Sequence, residues 1–272
     1  MYEIRTLENS SFEEIAATWN LAFSDYIVST IVTSEDMKAY FITSGVDTSM
    51  SFGAFYNNTL IGMLLNSIDD YEGRVVAYDA MTGIVPEHRN NGVFSLLFEY
   101  VKKNLKRNGL TRYYLEVITE NKKAYAIYEK KGGKICREFS VVEGRINGEC
   151  DFKVGVMPLI DFSNGDLSKY EPSFNNRIIA LRRNVDGYQI AYVENKDRKV
   201  SVIFNERGGI SQIMFNGTRD SGLLRCILTY LSRDFETLRI SNIPITETEL
   251  IDELLKMGFT ILVNQYEMLI EF

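Results

Sequence analysis

Apolar and polar residues recur along the chain with two different periods, which predict strands and helices in turn. Residues 2–7 alternate as in a strand, whereas the apolar residues between 12 and 23 fall on one helix face. Polar Asn57-Asn58 separates two strand-like runs, 51–56 and 60–67, and predicts a hairpin. The other predicted elements of the first half are helices at 34–43, 92–108 and 124–131 and strands at 75–85, 113–118, 135–142 and 151–158. A mixed α/β domain is therefore expected, complete by residue 160.

The second half repeats this order of elements. Its predicted strands are 188–194, 199–204, 210–215, 237–241 and one ending at Phe272, and its predicted helices are 221–231 and 247–256. A shift of 130 positions places Arg89-Asn-Asn-Gly92 on Arg219-Asp-Ser-Gly222 and Tyr100 on Tyr230. Two helices of equal period could agree by chance, but duplication accounts better for agreement in both turn and helix. We predict domains at 1–160 and 177–272, joined by a polar linker at 161–176.

Composition narrows the classes of function. The net charge of −7 argues against a general nucleic-acid binder. No window approaches the roughly 18 apolar residues that span a membrane, and no leader pattern is visible, so a cytoplasmic protein without membrane contact is expected. A single histidine and three widely spaced cysteines, Cys136, Cys150 and Cys226, are too few for a zinc site. We expect no metal, and buried free thiols in a reducing compartment.

The run Val85-Pro-Glu-His-Arg-Asn-Asn-Gly-Val-Phe-Ser95 has the form of a strand that enters a tight turn and then a helix. Amide groups at a helix N-terminus lack internal partners and lie at the positive end of the helix dipole, so they bind anions. Asn and Gly at positions 90–92 tolerate left-handed backbone. An ordinary strand-to-helix connection is the alternative interpretation of this run alone. A diphosphate is the ligand that we expect.

A second element, from Asn121 through Tyr128 to Gly132-Gly133, follows this turn along the chain. Together, Arg89-x-x-Gly92 after a Val-Pro strand end and Asn121 with Tyr128 before a glycine stop resemble the GNAT superfamily of acyl-CoA-dependent N-acyltransferases. The resemblance covers residues 1–160. It implies an α/β (α+β) fold of two tandem GNAT-like domains, each a mixed central sheet flanked by helices, and acetyl-CoA as cosubstrate. Phe94 departs from the small residue typical of the family, and we expect its ring to pack beneath the helix.

The resemblance also implies the roles of individual residues. The pantetheine arm would be flanked by Gly83, Ile84 and Val85, with the Ile84 N–H stabilising the oxyanion, and hydrogen-bonded by Asn121. The pyrophosphate would lie in the turn made by Arg89, Asn90, Asn91, Gly92, Val93, Phe94 and Ser95. Tyr128 would protonate the CoA thiolate. The alternative is that Tyr128 is only an aromatic residue of the core. Asp79 and Glu116 are the carboxylates within reach that could act as general base. The alternative for each is a solvated carboxylate without a catalytic role.

The second copy lacks the same chemistry. Asp220 puts a carboxylate into its turn, and Leu254 stands where Tyr128 would be. We expect this copy to be silent and to serve as a wall of the acceptor site, a packing partner or a homodimer surface. The predicted function is transfer of an acetyl group from acetyl-CoA to a primary amine of a small molecule or peptide, by direct attack in a ternary complex. A non-catalytic acyl-CoA-binding or regulatory module is the alternative.

Overall fold

The computed structural model describes residues 1–25, 31–71, 73–162 and 170–272. Its strands are β1 Tyr2–Thr6, β2 Phe52–Tyr56, β3 Thr59–Tyr71, β4 Arg74–Ile84, β5 Arg112–Ile118, β6 Lys134–Gly144, β7 Gly155–Pro158, β8 Tyr188–Asn195, β9 Arg198–Asn205, β10 Gly209–Asn216, β11 Leu238–Pro244 and β12 Thr260–Glu271. Its α-helices are α1 Phe12–Ala22, α2 Ser34–Ser44, α3 Val93–Arg107, α4 Lys122–Lys130, α5 Ile178–Leu181, α6 Ser221–Leu231 and α7 Thr248–Lys256. The order of elements predicted for both halves is confirmed.

Local signals fix the ends of most elements. Ser11 caps α1 by accepting a hydrogen bond from the Glu14 amide, and Thr33 forms a capping box with Asp36 at the start of α2. Asn57 and Asn58 have φ angles of 50° and 63°, the left-handed backbone that a two-residue hairpin turn requires. The hairpin prediction is therefore confirmed.

Three elements differ from their predictions. Strand β3 continues to Tyr71 because its ladder with β4 extends into polar residues, pairing Asp70 with Val75. Only Gly155–Pro158 of the predicted strand 151–158 pairs with a neighbour, β8. Helix α5, followed by a 3₁₀ segment over Arg182–Gly187, lacks any clear periodic signal in the sequence.

Contacts divide the chain into two compact units, each made of more than one stretch of the sequence. The first contains Met1–Glu116, Tyr128–Lys134 and Met268–Phe272, and the second contains Val117–Ile127 and Ile135–Glu267. These units group residues by contact, so the predicted ranges 1–160, 161–176 and 177–272 remain a prediction about the sequence repeat. Residues 163–169 of the predicted linker lie outside the described part of the chain.

Each unit contains a mixed sheet. In the first, β1, β2, β3 and β4 pair antiparallel in that order and β4 pairs parallel with β5. In the second, the order is β6, β11, β10, β9, β8, β7, and among these pairs of described strands only β11–β10 is parallel. The core of the first unit includes Met37 and Phe41 of α2 together with Met63 of β3 and Met81 of β4. Across the described residues, no helix is both long and apolar enough to cross a bilayer.

The cysteines differ from expectation. Cys150 and Cys226 are joined by a disulfide with an S–S distance of 2.17 Å, and Cys136 is exposed. The prediction of buried free thiols is therefore wrong. The fold brings the connection after β6 against α6, a juxtaposition of positions 76 residues apart that spacing alone does not reveal. Free thiols consequently give no support to the expected cytoplasmic location.

Candidate active site

Strand β4 separates from its parallel neighbour halfway along its length. It pairs with β5 at Ala77 and Tyr78, and its register with β3 shifts around Ala80, where the backbone forms a bulge. Val85 donates its N–H to the Ile61 carbonyl on the β3 side, so strand alternation turns the Ile84 N–H towards the opposite edge. Among the described strand pairs, β4 has no ladder partner on that edge beyond Tyr78. The amide predicted to stabilise an oxyanion is thus aimed at an unpaired strand edge.

The predicted phosphate turn lies at the N-terminus of α3. Asn90 and Gly92 have φ angles of 61° and 74°, and α3 begins at Val93. No side chain caps this helix end within the described residues, and the Leu96 amide makes the first helical bond to Gly92. The amides of Val93, Phe94 and Ser95 therefore have the arrangement expected of an anion site.

The side chain of Arg89 makes contacts that the sequence did not predict. Its Nε donates to the Ile84 carbonyl at 2.9 Å, and its Nη2 donates to the Ala22 carbonyl at 2.7 Å. Its two terminal nitrogens hold the Asp25 carboxylate at 2.7 and 2.9 Å. The guanidinium thus joins the end of β4 to the end of α1. Because its side chain is engaged there, Arg89 would contribute to phosphate binding mainly through its backbone in the turn.

Tyr128 and Asp79 are brought together inside the first unit. The Tyr128 hydroxyl donates to Asp79 Oδ2 at 2.9 Å, and both residues are buried. Thr82 donates to the same carboxylate at 2.7 and 2.9 Å. Burial raises the pKa of Asp79 to about 6, although the hydrogen bonds from Thr82 and Tyr128 oppose that rise. A buried acid and a buried carboxylate thus share one proton network.

Phe94, the departure from the family turn, contacts this network. Its ring lies edge-on to the Tyr128 ring at 5.6 Å and stacks on Phe98 at 5.6 Å. The ring therefore packs against α3 as expected, and it also fixes the position of Tyr128. Sequence reasoning missed this second role because it assigned Phe94 only to the turn.

Two other predicted site residues, Glu116 and Asn121, make different contacts. Glu116 lies on β5, and its charge, after burial and with Asp79, contributes to raising the pKa of Tyr40 above its ordinary range. Tyr40 donates its hydroxyl to the Ala80 carbonyl at the bulge. Asn121 caps α4, with its Oδ1 accepting from the Ala124 amide at 3.1 Å. Its contact with pantetheine remains a prediction.

Thr82 and Tyr113 were not predicted to lie near Asp79. Residues three apart point to opposite faces of a regular strand, but the bulge at Ala80 turns Thr82 towards Asp79. Burial and the Asp79 charge raise the pKa of Tyr113 well above its ordinary value. No periodic pattern in the sequence indicates a bulge, so the position of Thr82 could not have been found from it. Tyr113 lies near Asp79 because β5 pairs with β4 at Ala77, a register that the sequence does not reveal.

In the corresponding turn of the second copy, the side chain of Asp220 binds the amides at the start of the helix. Asp220 accepts hydrogen bonds from the Gly222 and Leu223 amides, each at 3.1 Å, and pairs with Arg198. The amide bonds and Arg198 lower the pKa of Asp220. Leu254 is fully buried in an aliphatic core. The amides that would bind an anion are therefore already occupied.

The opening between β10 and β11 is also filled. These strands pair at Gly209 and Ile210 of β10. Beyond this point, Asn242 donates to the Ser173 hydroxyl at 2.9 Å, and Asn176 donates to the Ser241 carbonyl at 3.4 Å. Gln212 of β10 donates to the Asn176 carbonyl. A segment of the same chain thus lies where the first copy has an unpaired edge.

Comparison with known proteins agrees with this geometry. Residues 4–133 match the model of the acetyltransferase (GNAT) family. N-alpha-acetyltransferase 30 of Schizosaccharomyces pombe is 29% identical over 109 residues, which are 40% of this chain and 71% of that protein. The region matched by the family model contains the turn, Asp79 and Tyr128.

Two solved structures share the fold across the chain. A tandem GNAT protein from the clavulanic acid biosynthesis pathway has a TM-score of 0.72 at 11% identity, with 100% of this chain and 98% of that one covered. A GCN5-related N-acetyltransferase from Sphaerobacter thermophilus has a TM-score of 0.68 at 11% identity, with 99% and 95% covered. At such identities the likeness concerns the fold alone, and it extends over both halves. Residues 4–133 are thus similar to the acetyltransferase (GNAT) family, and the fold likeness to GNAT proteins extends over the rest of the chain.

Proposed function

We propose that the chain transfers an acetyl group from acetyl-CoA to a primary amine, with both substrates bound together. The observation that carries this proposal is the hydrogen bond between Tyr128 and Asp79, beside the unpaired edge of β4. The similarity to an N-alpha-acetyltransferase makes a peptide amino terminus the first acceptor to test, with small-molecule amines as the other class.

The coenzyme would bind along the first copy. Its diphosphate would accept hydrogen bonds from the turn amides between Asn91 and Ser95, and its pantetheine would lie along the edge of β4 at Gly83, Ile84 and Val85. The Ile84 N–H points to that edge and would stabilise the oxyanion formed at the thioester carbonyl. No charged side chain is needed in the turn, which agrees with the use of Arg89 elsewhere.

Proton transfer would pass through the buried pair. The neutral amine attacks the thioester carbonyl, and collapse of the tetrahedral intermediate forms the amide and breaks the C–S bond. Tyr128 gives its proton to the thiolate, and Asp79 returns to Tyr128 the proton lost by the amine. A phenol with an ordinary pKa near 10 readily protonates a thiolate whose conjugate acid is near 8.5. Glu116 is the other carboxylate available to take the amine proton.

The second copy would bind no coenzyme, because Asp220 and the segment around Asn176 occupy the groups that a ligand would need. Its role would be structural, including the option of a homodimer surface.

The test compares wild type with Tyr128→Phe, using acetyl-CoA and a panel of peptide and small-molecule amines. Affinity for acetyl-CoA, measured by calorimetry, should stay within about threefold, while turnover falls about 10²- to 10⁴-fold. Unchanged turnover would assign Tyr128 to the core alone. Tight acetyl-CoA binding without transfer to any amine would favour the non-catalytic binding module.

A further inference from the structure

Arg89 belongs to the coenzyme turn by sequence, but its side chain contacts the end of α1. The guanidinium makes four hydrogen bonds, to the Ile84 carbonyl, to the Ala22 carbonyl and to both carboxylate oxygens of Asp25. Two parallel bonds to one carboxylate fix the orientation of both side chains more strongly than a single contact does. The three partners come from β4 and from the C-terminal end of α1.

The end of α1 packs against the face of β4 at Gly83, next to the strand edge proposed to hold the thioester. A Cβ atom added to Gly83 would lie 2.9 Å from the Phe23 ring and 3.1 Å from Ala22. Phe23 packs on Trp19 at a ring distance of 5.0 Å, and Trp19 packs on Tyr40, whose hydroxyl holds the bulge at Ala80. A displacement of residues 22–25 would therefore shift β4 between Ala80 and Ile84.

We propose that Asp25 is a positioning residue that, through Arg89, couples coenzyme binding at the turn to the order of α1 beside the reaction centre. This inference rests on the proposed function, since it requires acetyl-CoA at the turn. A diphosphate bound by the amides after Asn90 holds the backbone that carries Arg89. Arg89 in turn holds Asp25 and Ala22, so the α1 end becomes more firmly ordered when the coenzyme is bound. Coupling of this kind is reciprocal, and loss of the Asp25 contact weakens coenzyme binding by the same factor.

The strength of the coupling is limited by solvent. The side chains of Arg89 and Asp25 are 37% and 58% exposed, and exposed ion pairs contribute modestly. We therefore expect Asp25→Asn to weaken acetyl-CoA binding by roughly two- to fivefold. That effect is much smaller than the effect expected from disrupting the turn itself.

The experiment measures amide hydrogen exchange over residues 19–25, with and without saturating acetyl-CoA, alongside calorimetric affinities. In wild type, acetyl-CoA should slow exchange there severalfold, including at the Phe23 amide, which bonds to the Trp19 carbonyl. In Asp25→Asn and Arg89→Lys, acetyl-CoA should still bind, but the added protection should be lost. Glu13→Gln removes a carboxylate from the exposed face of the same helix, and it should behave as wild type.

Equal protection in wild type and Asp25→Asn, at saturation in both, would overturn the coupling and leave the proposed function intact. Failure of wild type to bind acetyl-CoA would overturn both. Because the readout is exchange and not turnover, the acceptor need not be known. A melting temperature of Asp25→Asn close to that of wild type would confirm that any lost protection is not general unfolding.

Discussion

The Tyr128 hydroxyl donates to Asp79 Oδ2 across 2.9 Å, joining α4 to β4 over 49 residues of sequence. Both groups are buried, so the carboxylate is held in surroundings that favour its protonated form. The two groups are therefore joined in one hydrogen-bond network, to which Thr82 also donates. In the proposed mechanism this pair supplies the proton for the thiolate, whereas buried Leu254 at the matching place in the second copy has no proton to give.

The rate of acetyl transfer should depend on the protonation of Asp79. Its raised pKa, about 6, means that the carboxylate needed to accept a proton forms as the pH rises through that value. We expect kcat to rise about tenfold per pH unit below 6 and to level off above it. Asp79→Asn should remove this limb and lower kcat about 10²-fold or more. A profile with the same limb in Asp79→Asn would exclude Asp79 as its source.

Stability should show the opposite dependence on pH. The folded-state pKa of Asp79, about 6, exceeds its ordinary value of 3.8, so the folded protein retains a proton that the unfolded chain has lost in that window. The contribution of Asp79 is therefore most favourable below about pH 4 and is lost as the pH rises towards 6. When urea unfolding is compared at pH 4.5 and pH 7, the unfolding free energy of wild type should fall relative to that of Asp79→Asn as the pH rises. Identical changes in both proteins would contradict the raised pKa.

Gly92 and Gly109 form a matched pair at the two ends of α3. Their φ angles are 74° and 78°, and a Cβ at either position would meet no atom within 4 Å. Replacement by Ala should therefore cost each about 1 to 2 kcal/mol of unfolding free energy from left-handed backbone alone. Only Gly92→Ala should also weaken acetyl-CoA binding, because only Gly92 shapes the turn. Calorimetry with both variants checks this, and equal weakening would argue against a coenzyme site at the turn.

Asp220 should stabilise the second unit and exclude a second coenzyme. Its carboxylate caps α6 through the Gly222 and Leu223 amides, so Asp220→Ala should lower the unfolding free energy by about 1 kcal/mol. Acetyl-CoA should bind wild type with one site per chain, as measured by calorimetry. Two sites per wild-type chain would show that the second copy is not closed.

The disulfide should contribute substantially to stability. Cys150 and Cys226 are 76 residues apart, and closing a loop of that length in the unfolded chain is worth about 4 kcal/mol in the chain-entropy model. Cys150→Ser should therefore lower the melting temperature, and adding a reductant should do the same to wild type but not to that variant. Cys136→Ser serves as the control, since Cys136 lies outside the disulfide. A wild-type melting temperature insensitive to reductant would contradict this contribution.

Local sequence patterns predicted the order of elements and the hairpin at Asn57, which the structure confirms. They also predicted a phosphate turn and a second copy without the same chemistry, and these two remain predictions. These features depend on local periodicity, on backbone preferences of Asn and Gly, and on residue identity at matching positions of the repeat. Packing determines which side chains meet: Tyr128 with Asp79, Arg89 with Asp25, and Cys150 with Cys226. The β4 bulge turned Thr82 towards Asp79, and burial, which only packing creates, raised the pKa of that carboxyl. Local patterns encode backbone conformation, but distances between residues far apart in sequence and their desolvation arise only when the chain has packed.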